Sequence, residues 1–355
     1  MKILFLFTYN KGLLSDFFMD LGQQLIEDGH EVKVYSLKEH PGRYKVGSIE
    51  IIVEKKGGYG SDYFRIFRSI NEISPDVIIS NFSYANPSML AGKILKIKRN
   101  IVWVHSLKKH GDPGHYVIMI KRQFYKLADK IIVNSCILEK ELKEVFHVKG
   151  SKIIPIPFWS NIQEVKPNLI AIGETSDQFL IGCPGRFTII KNQQVIITAL
   201  ASAKANASKE LKFYLAGDGP NRKNLEMQVS KLNLGEEVNF LGVLSAGQMV
   251  DFYKKMDLIV LPSLFESFGL VFIEALSLGI PVLVSDRFGA LDFVNKENKD
   301  VKEILFDPED PEALANKISD IVGQKRIDRD FYKTLYTEHF KKEKIYREVL
   351  DVLIE

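Results

Sequence analysis

The chain alternates short apolar runs with amphipathic helical segments along its whole length, and this pattern constrains the fold more than any other feature. The apolar runs do not switch regularly between apolar and polar residues, which is typical of parallel strands buried on both faces. Parallel strands need a long crossover connection, and the helical segments between the runs supply it. The pattern therefore predicts doubly wound α/β domains. Strands are predicted at 2–8, from 32, and at 76–80, 101–105, 130–134, 179–183, 212–216, 237–241, 257–261 and 281–284.

A proline-rich break over 150–168 divides this alternation into two halves. The length of 355 residues fits either two domains or one large α/β barrel, and the break favours two domains. Helices are predicted at 14–28, 192–204, 221–233, 246–255, 268–278 and 311–322, with a closing helical segment at 329–354. We predict an N-terminal Rossmann-like domain over 1–163, a C-terminal one over 164–335, and a final helix over 336–355.

The composition excludes several classes of protein. With 46% hydrophobic and 26% charged residues, the chain is neither disordered nor fibrous. Its two cysteines cannot form a disulfide framework or a structural zinc site. The sequence has no run of about 18 apolar residues, and its apolar start is too short for a signal peptide. We therefore expect a cytoplasmic protein.

The segment 262–286 contains two glutamates with different surroundings. Glu266 falls in the loop after a predicted strand, where its carboxylate can reach ligand hydroxyls. Glu274 falls inside the following helix among apolar neighbours, and a carboxylate buried there is costly unless it has polar partners. One interpretation is that Glu274 binds a diol such as a ribose. The other is that it lies on the solvent face of the helix.

The start of the same helix is a candidate phosphate site. Ser267 is predicted to cap the helix, which then begins at Phe268. The backbone amides of Phe268, Gly269 and Leu270 would point out of its first turn, where phosphate binds well. A diol, a diphosphate and further hydroxyls occur together in a sugar nucleotide, so the segment predicts a ligand of that kind.

Two further loops follow predicted strands. Arg186 and Lys191 come after the strand at 179–183, and two cations at a strand end suit a diphosphate, although surface side chains are the simpler interpretation. Gly217 belongs to a Gly-x-Gly turn, but Arg222 replaces the third glycine of the dinucleotide fingerprint. The missing glycine argues against a nicotinamide cofactor.

The segment 262–286 resembles the Glu-x7-Glu motif of the retaining glycosyltransferases of family 4. The glutamate spacing matches, and so do the flanking Pro-Ser, Phe-Gly, Glu-Ala and Gly-Ile-Pro-Val steps. The resemblance covers nearly the whole chain, is strongest over 180–290 and is diffuse before 150, where acceptors bind in this family. It implies the GT-B fold, an α/β architecture in which two Rossmann-like domains face each other across a cleft and the last helix crosses back to the first domain.

The resemblance also implies roles for individual side chains. Glu266 would hold the donor sugar, and Glu274 would hold the ribose. Arg186 and Lys191 would bind the diphosphate and stabilise the charge that develops as the glycosidic bond breaks. His105, at the end of a predicted strand, would lie near the donor sugar and the acceptor.

Three loop positions complete the implied donor site. Gly217 would form a turn near the donor, Val243 would lie in a loop that contacts the base, and Gly12 would approach the donor phosphate. The family commonly has a Gly-Gly pair in that first loop, and this chain has only Gly12. Residues 156–159, Ile-Pro-Phe-Trp, replace the family's Asn-Gly-Val-Asp, which suggests an unusual wall or hinge at the domain junction.

These observations together predict a retaining glycosyltransferase. It would move a sugar from a nucleoside diphosphate sugar, with a UDP-sugar favoured, to a hydroxyl of a saccharide or lipid-linked saccharide in cell-surface polysaccharide biosynthesis. The transfer is expected to need no metal ion and no cofactor besides the donor substrate. The alternatives are a non-catalytic partner protein on a glycosyltransferase scaffold and a GT-B sugar-nucleotide epimerase; a nicotinamide-dependent oxidoreductase is disfavoured.

The charge is unevenly distributed. Residues 1–165 carry 24 Lys and Arg against 17 Asp and Glu, a formal charge of +7, whereas the remainder carries −4. Basic residues cluster at 93–99, 108–109 and 121–130, and the segment 116–127 mixes apolar with basic residues. This half is a candidate for peripheral contact with the inner face of a membrane. A solvated basic surface and an ordinary amphipathic helix packed on the sheet are the alternatives, and no nucleic-acid-binding module is recognised.

Overall fold

The computed structural model describes residues 1–10, 12–105, 115–173, 176–204, 207–323 and 328–354. The chain divides into two compact units, Met1–Phe158 with Lys342–Glu355, and Trp159–Lys341. The domain boundaries predicted after residues 163 and 335 lie a few residues from these divisions. Each unit is built on its own β-sheet.

The first unit contains, within the described ranges, a sheet of eight strands. They are β1 (Lys2–Leu6), β2 (Glu31–Lys38), β3 (Gly42–Val46), β4 (Ile49–Lys55), β5 (Val77–Asn81), β6 (Arg99–Val104), β7 (Lys130–Val133) and β8 (Ile153–Pro155). Their order is β3-β4-β2-β1-β5-β6-β7-β8, and every neighbouring pair is parallel except the antiparallel β3–β4 hairpin. The sequence pattern does not predict this hairpin, because the largely exposed edge strand β3 has no apolar run.

Five helices of the first unit precede β8 in the described ranges. They are α1 (Leu13–Glu27), α2 (Tyr59–Ile73), α3 (Ala85–Ile94), α4 (His115–Leu127) and α5 (Cys136–Glu144). In α1 the buried side chains of Phe17, Phe18, Leu21 and Leu25 fall on one helical face. Burial of each such side chain stabilises the fold by about 2 kcal/mol, and this face therefore holds α1 against the sheet.

The second unit has a fully parallel sheet of six strands among the residues described. They are β9 (Gln178–Pro184), β10 (Glu210–Ala216), β11 (Val238–Gly242), β12 (Leu258–Leu261), β13 (Val282–Ser285) and β14 (Leu305–Phe306), in the order β11-β10-β9-β12-β13-β14. Its helices are α6 (Gln193–Ala203), α7 (Arg222–Lys231), α8 (Ala246–Lys255), α9 (Leu270–Ser277), α10 (Lys299–Ile304), α11 (Pro311–Gly323) and α12 (Arg329–His339).

The closing helical segment consists of two helices, α12 and α13 (Lys342–Ile354). Phe340 interrupts them, because its ring is fully buried in the second unit against Phe268 and Tyr336. Helix α13 belongs to the first unit. There the Lys342 ammonium donates to Asp20 Oδ1 at 2.7 Å, and the Tyr346 hydroxyl donates to an oxygen of the Asp28 carboxylate at 2.5 Å. None of the helices in the described ranges combines the length and the hydrophobicity that a membrane-spanning segment requires.

Each sheet has one point where the strand order reverses. In the first sheet the chain adds strands on opposite sides of β1, so the reversal lies between β1 and β5. In the second sheet it lies between β9 and β12. Ligands of doubly wound sheets bind outside the carboxyl ends of the strands at such points. The loops after β1, β5, β9 and β12 are therefore the places to examine for a site.

Candidate active site

In the second unit, the loops after β9 and β12 meet through an ion pair. Lys191 ends a short turn before α6, and its ammonium pairs with the Glu266 carboxylate in the loop after β12. Both side chains are partly buried, so their attraction is less screened than that of a surface pair. The sequence motifs that contain Lys191 and Glu266 therefore come together at the strand-order reversal.

The backbone of Glu266 is held by the loop after β13. The Glu266 N–H donates to the carbonyl of Arg287 at 3.3 Å, and the Gly289 N–H donates to the carbonyl of Glu266 at 2.9 Å. The Arg287 guanidinium pairs with the carboxylates of Asp307, at 3.2 Å, and Glu309. Arg287, which the sequence analysis did not single out, thus anchors the loop that positions Glu266.

Helix α9 starts later than predicted, and its cap is Gly269 rather than Ser267. Gly269 has φ +100°, a left-handed conformation that favours glycine, and a Cβ there would lie 2.6 Å from Cε1 of Phe288. The prediction of a Ser267 cap is wrong because the chain turns at Gly269 and the helix begins at Leu270. The Phe268 side chain is buried against Phe340, so only its backbone remains for contact with a ligand.

Glu274 lies inside α9 and is buried, with 4% of its surface exposed. This burial rules out the solvent-face interpretation. The fully buried Tyr253 on α8 donates its hydroxyl to Glu274 Oε2 at 2.7 Å. Burial, and then the neighbouring carboxylate, raises the pKa of Tyr253 well above its usual value, so the phenol stays protonated and remains a donor. Tyr253 therefore fixes the orientation of the Glu274 carboxylate.

The sugar-nucleotide hypothesis predicts that replacing Tyr253 with phenylalanine weakens the binding of a nucleoside diphosphate about tenfold. The buried carboxylate of Glu274 loses a donor, and such a loss costs about 1–3 kcal/mol. Titration calorimetry with the purified variants measures the effect. Tyr336→Phe is the matched control, because the Tyr336 hydroxyl donates to the Ser160 carbonyl at 3.0 Å in the same unit. Equal affinities for Tyr253→Phe and the wild type would contradict a role for Glu274 in the site.

The remaining cation, Arg186, is exposed in the loop directly after β9. Its backbone carbonyl accepts a hydrogen bond from the Gln193 side-chain amide at 3.2 Å, which ties this loop to α6. The Arg186 guanidinium therefore lies at the same edge of the sheet as Lys191, on a loop fixed through its backbone.

Gly217 has a packing role that the Gly-x-Gly pattern around it does not reveal. Its φ is +153°, and a Cβ there would lie 2.9 Å from the carbonyl carbon of Gly185 and closer still to its oxygen. Its N–H donates to the Gly242 carbonyl at 2.8 Å. The loops after β9, β10 and β11 are thereby packed backbone against backbone, and Val243 projects from the last of them with its side chain exposed.

In the first unit, His105 follows β6 and is held between two asparagines. Its Nδ1 is 2.9 Å from Asn134 Oδ1, and its Nε2 is 2.7 Å from the side-chain amide of Asn81. The Asn134 amide nitrogen donates to the Ile156 carbonyl at 2.7 Å, so the Asn134 oxygen faces the ring and Nδ1 carries the proton. Burial lowers the pKa of His105 to about 4, which keeps the imidazole neutral at physiological pH.

The orientation of Asn81 follows from this neutral ring. As placed, its oxygen faces Nε2, and its amide nitrogen is buried without a hydrogen-bond partner among the residues described. Amide oxygen and nitrogen are assigned from the hydrogen-bond network. The reversed amide donates to Nε2 and leaves that nitrogen as an acceptor. Asn81 and Asn134 are polar residues at strand ends that sequence reasoning missed.

Gly12, the predicted phosphate contact of the first unit, caps α1 just after β1. Its φ of 174° is ordinary extended backbone, and a Cβ there would meet only Asn10 Oδ1 at 3.5 Å. The position has no need for glycine, in contrast to Gly269 and Gly217. The basic pair at 108–109 lies outside the described residues, and the segment 116–127 forms most of α4.

Two doubly wound α/β units are the architecture of the GT-B fold, which solved structures of that fold share with this chain. Sequence profiles agree: the one described as Glycosyltransferase Family 4 matches residues 15–159, and the one described as Glycosyl transferases group 1 matches 166–337. The chain belongs to the family-4-like glycosyltransferases that join these two domains. The predicted membership of glycosyltransferase family 4 is thereby confirmed.

Similar proteins point to the same class. An uncharacterized glycosyltransferase of Methanocaldococcus jannaschii is 30% identical over 63% of this chain and 58% of its own length. The chain spans about three-fifths of the first curated relatives that it matches. A Campylobacter jejuni α-1,4-N-acetyl-D-galactosaminyltransferase, named for a GalNAc-containing saccharide on diphospho-undecaprenol, is 27% identical over 93% of this chain and 91% of its own. Anabaena HepE, crystallised with UDP and glucose, shares the fold with a TM-score of 0.78 over 99% of both chains, at 19% identity.

Proposed function

We propose that this protein is a retaining glycosyltransferase that uses a nucleoside diphosphate sugar, with a UDP-sugar favoured. The observation that carries the proposal is the Lys191–Glu266 pair at the strand-order reversal of the second unit. The pair supports the proposal because a cation suited to a diphosphate lies beside a carboxylate suited to sugar hydroxyls. Glu274, oriented by Tyr253, is the acceptor for the ribose hydroxyls.

The proposed reaction breaks the bond between the anomeric carbon and the diphosphate oxygen and forms a bond to the acceptor oxygen on the same face. The electron pair of the broken bond goes to the leaving phosphate, where Arg186 and Lys191 stabilise the developing charge. That phosphate takes the proton from the acceptor hydroxyl. These two cations supply the charge stabilisation for which many transferases use a metal, so we propose that no metal ion is required.

The proposed acceptor is a saccharide or a lipid-linked saccharide, in the synthesis of a cell-surface polysaccharide. The Campylobacter relative, whose name specifies a lipid-linked saccharide, supports this choice. We also propose peripheral contact with the cytoplasmic face of a membrane through the first unit. Tyr116, Val117 and Met119 are exposed at the start of α4, and Lys126 is exposed in its last turn.

A ligand panel of UDP, GDP, ADP, CMP and NAD tests the donor class by thermal shift and calorimetry. A ligand at 100 times its Kd should stabilise the fold by about 2.7 kcal/mol. We expect one nucleoside diphosphate to bind, and Glu274→Ala to lose that binding. Glu237→Ala is the matched control, because Glu237 is equally buried and is paired with Lys204 in the same unit.

The other outcomes favour the alternatives. Binding of none of these ligands would overturn the transferase proposal in favour of a non-catalytic partner protein, and binding of NAD alone would favour an oxidoreductase. Conversion of a donor sugar in the absence of any acceptor would instead identify an epimerase.

A further inference from the structure

The first unit contains a cavity that the donor site does not use. It has a volume of about 380 Å³ and lies at the carboxyl ends of β5 and β6, walled by α2, α3 and α4. His105, which the family resemblance implies to lie near the donor sugar and the acceptor, forms part of its wall. Its volume is within the range of small-ligand sites.

Aromatic rings dominate this cavity, and two of them are unusually exposed. Tyr59, the first residue of α2, has 86% of its surface exposed, and Phe82, just after β5, has 53% exposed. Tyr63 lies one turn after Tyr59, with its ring centroid 6.1 Å from that of Tyr59. Exposed rings that line a cavity offer flat apolar surfaces to a ligand.

Phe82 is held in its position at a conformational cost. Its φ is +50°, which a bulky side chain rarely adopts. The ring lies 5.2 Å from that of His105, between centroids. Strain of this kind persists where the surrounding structure imposes it, and it clusters at binding sites.

A second cavity adjoins the first. It has a volume of about 300 Å³, lies near the end of β1, and shares Tyr59, Tyr63 and Ser83 with the first cavity. The two tyrosines therefore form a ridge between two compartments. Two adjoining compartments of this size suit a chain of two sugar rings, with one ring for each compartment and the glycosidic linkage across the ridge.

The polar groups of the first cavity favour a neutral, hydroxyl-rich ligand. Among its described lining residues none is acidic, and the one cation, Lys121, has its ammonium 5.9 Å from the ring centroid of Phe146. Ser83 and Asn86 supply donors and acceptors. An acyl chain would bury these groups without partners, which is costly, whereas a pyranose stacks its C–H face on the rings and bonds through its edge.

We propose that the two cavities form an acceptor groove for an oligosaccharide of at least two sugar units, with a neutral unit in the first cavity and with Tyr59 and Phe82 as stacking platforms. The second cavity adds one cation, Lys56, and one carboxylate, Asp62, to the hydrogen-bonding groups. This inference rests on the proposed transferase function, since it assigns the acceptor side of the same reaction. It concerns only the first unit, whereas Arg186, Lys191 and Glu274, the nucleotide contacts named under the proposed function, lie in the second.

Saturation-transfer NMR tests the proposal with maltose, cellobiose, lactose, N,N′-diacetylchitobiose and their monosaccharide units. We expect transfer to the C–H protons of at least one disaccharide, with Kd weakened about fivefold or more in Tyr59→Ala and Phe82→Ala. Tyr59→Phe should keep wild-type binding. Phe64→Ala is the matched control, because Phe64 is 65% exposed on the same helix and lines neither cavity.

Three results would overturn the proposal: no saccharide transfer in the wild type, equal binding by Tyr59→Ala and the wild type, or a monosaccharide binding as tightly as its disaccharide. Nucleotide affinity is measured on the same samples and should be unchanged in all variants. Saccharide binding without any nucleotide binding would leave the groove in place and refute the transferase function. Nucleotide binding without saccharide binding would refute the groove alone.

Discussion

Replacing Lys191 with methionine should lower kcat/KM for sugar transfer about 100- to 1,000-fold, the effect of removing one preorganised electrostatic donor from a reacting centre. In the proposed reaction Lys191 stabilises charge on the leaving diphosphate, and that charge is larger in the transition state than in the bound donor. The loss should therefore appear in kcat as well as in KM. Steady-state kinetics with the donor identified by the ligand panel measures it.

Lys204→Met is the matched control for this variant. Lys204 also forms a close ion pair with a glutamate of the second unit, Glu237, whose side chain is largely buried. Both substitutions therefore remove one partner of a Lys–Glu pair and should cost similar stability. Only the Lys191 variant should lose turnover. Comparable losses of kcat/KM in the two variants would show that Lys191 acts through stability rather than through the reacting groups.

The largest expected effect on stability comes from Gly217→Ala, which should lower the free energy of unfolding on the order of 3 kcal/mol. The estimate combines about 1–3 kcal/mol for backbone strain with about 1–3 kcal/mol for overpacking. The added Cβ meets the backbone carbonyl of Gly185, which cannot move aside as a flexible side chain would. For a unit of this size the midpoint of thermal unfolding should fall by about 6–12 °C.

Gly242→Ala separates the two contributions. Gly242 accepts the hydrogen bond from Gly217 and has φ +72°, but a Cβ there would meet no atom within 4 Å. This variant should show only the strain, about 1 kcal/mol. Calorimetric scans of both variants measure the difference. If Gly242→Ala unfolds at the same temperature as Gly217→Ala, close packing of the loops is not the reason for glycine at 217.

The strands that are buried on both faces could be predicted from the sequence. The run at 179–183 has no polar side chain, and the run at 257–261 has only Asp257 at its start; they form the adjacent strands β9 and β12 of the second sheet. The β3–β4 hairpin could not be found in this way, because an edge strand exposed to solvent needs no apolar pattern. The start of α9 was misplaced because Ser267 suits a helix cap locally, whereas packing of Phe288 on Gly269 decides the turn.

The candidate site was less open to prediction, because its geometry depends on partners that are distant in sequence. The sequence predicts that Glu274, if it is buried, needs a polar partner. Nothing in the sequence identifies Tyr253 as that partner. Nor does the sequence identify the partners of His105, because Asn81 and Asn134 lie at the ends of two other strands. A sequence shows which residue types follow which strand, and the order of strands in the sheet decides which of them meet.

The contact between Lys191 and Glu266 gives the proposed donor site an internal counterion. When a nucleoside diphosphate binds the Lys191 ammonium, the Glu266 carboxylate loses its partner. A partly buried carboxylate without a partner raises the free energy of the complex. The sugar of an intact donor restores the balance, because its hydroxyls donate to the carboxylate that the phosphate has released. The nucleoside diphosphate product has lost this sugar and its hydroxyls. The same ion pair would therefore favour the loaded donor over the product, and so would help the nucleotide to leave after each transfer.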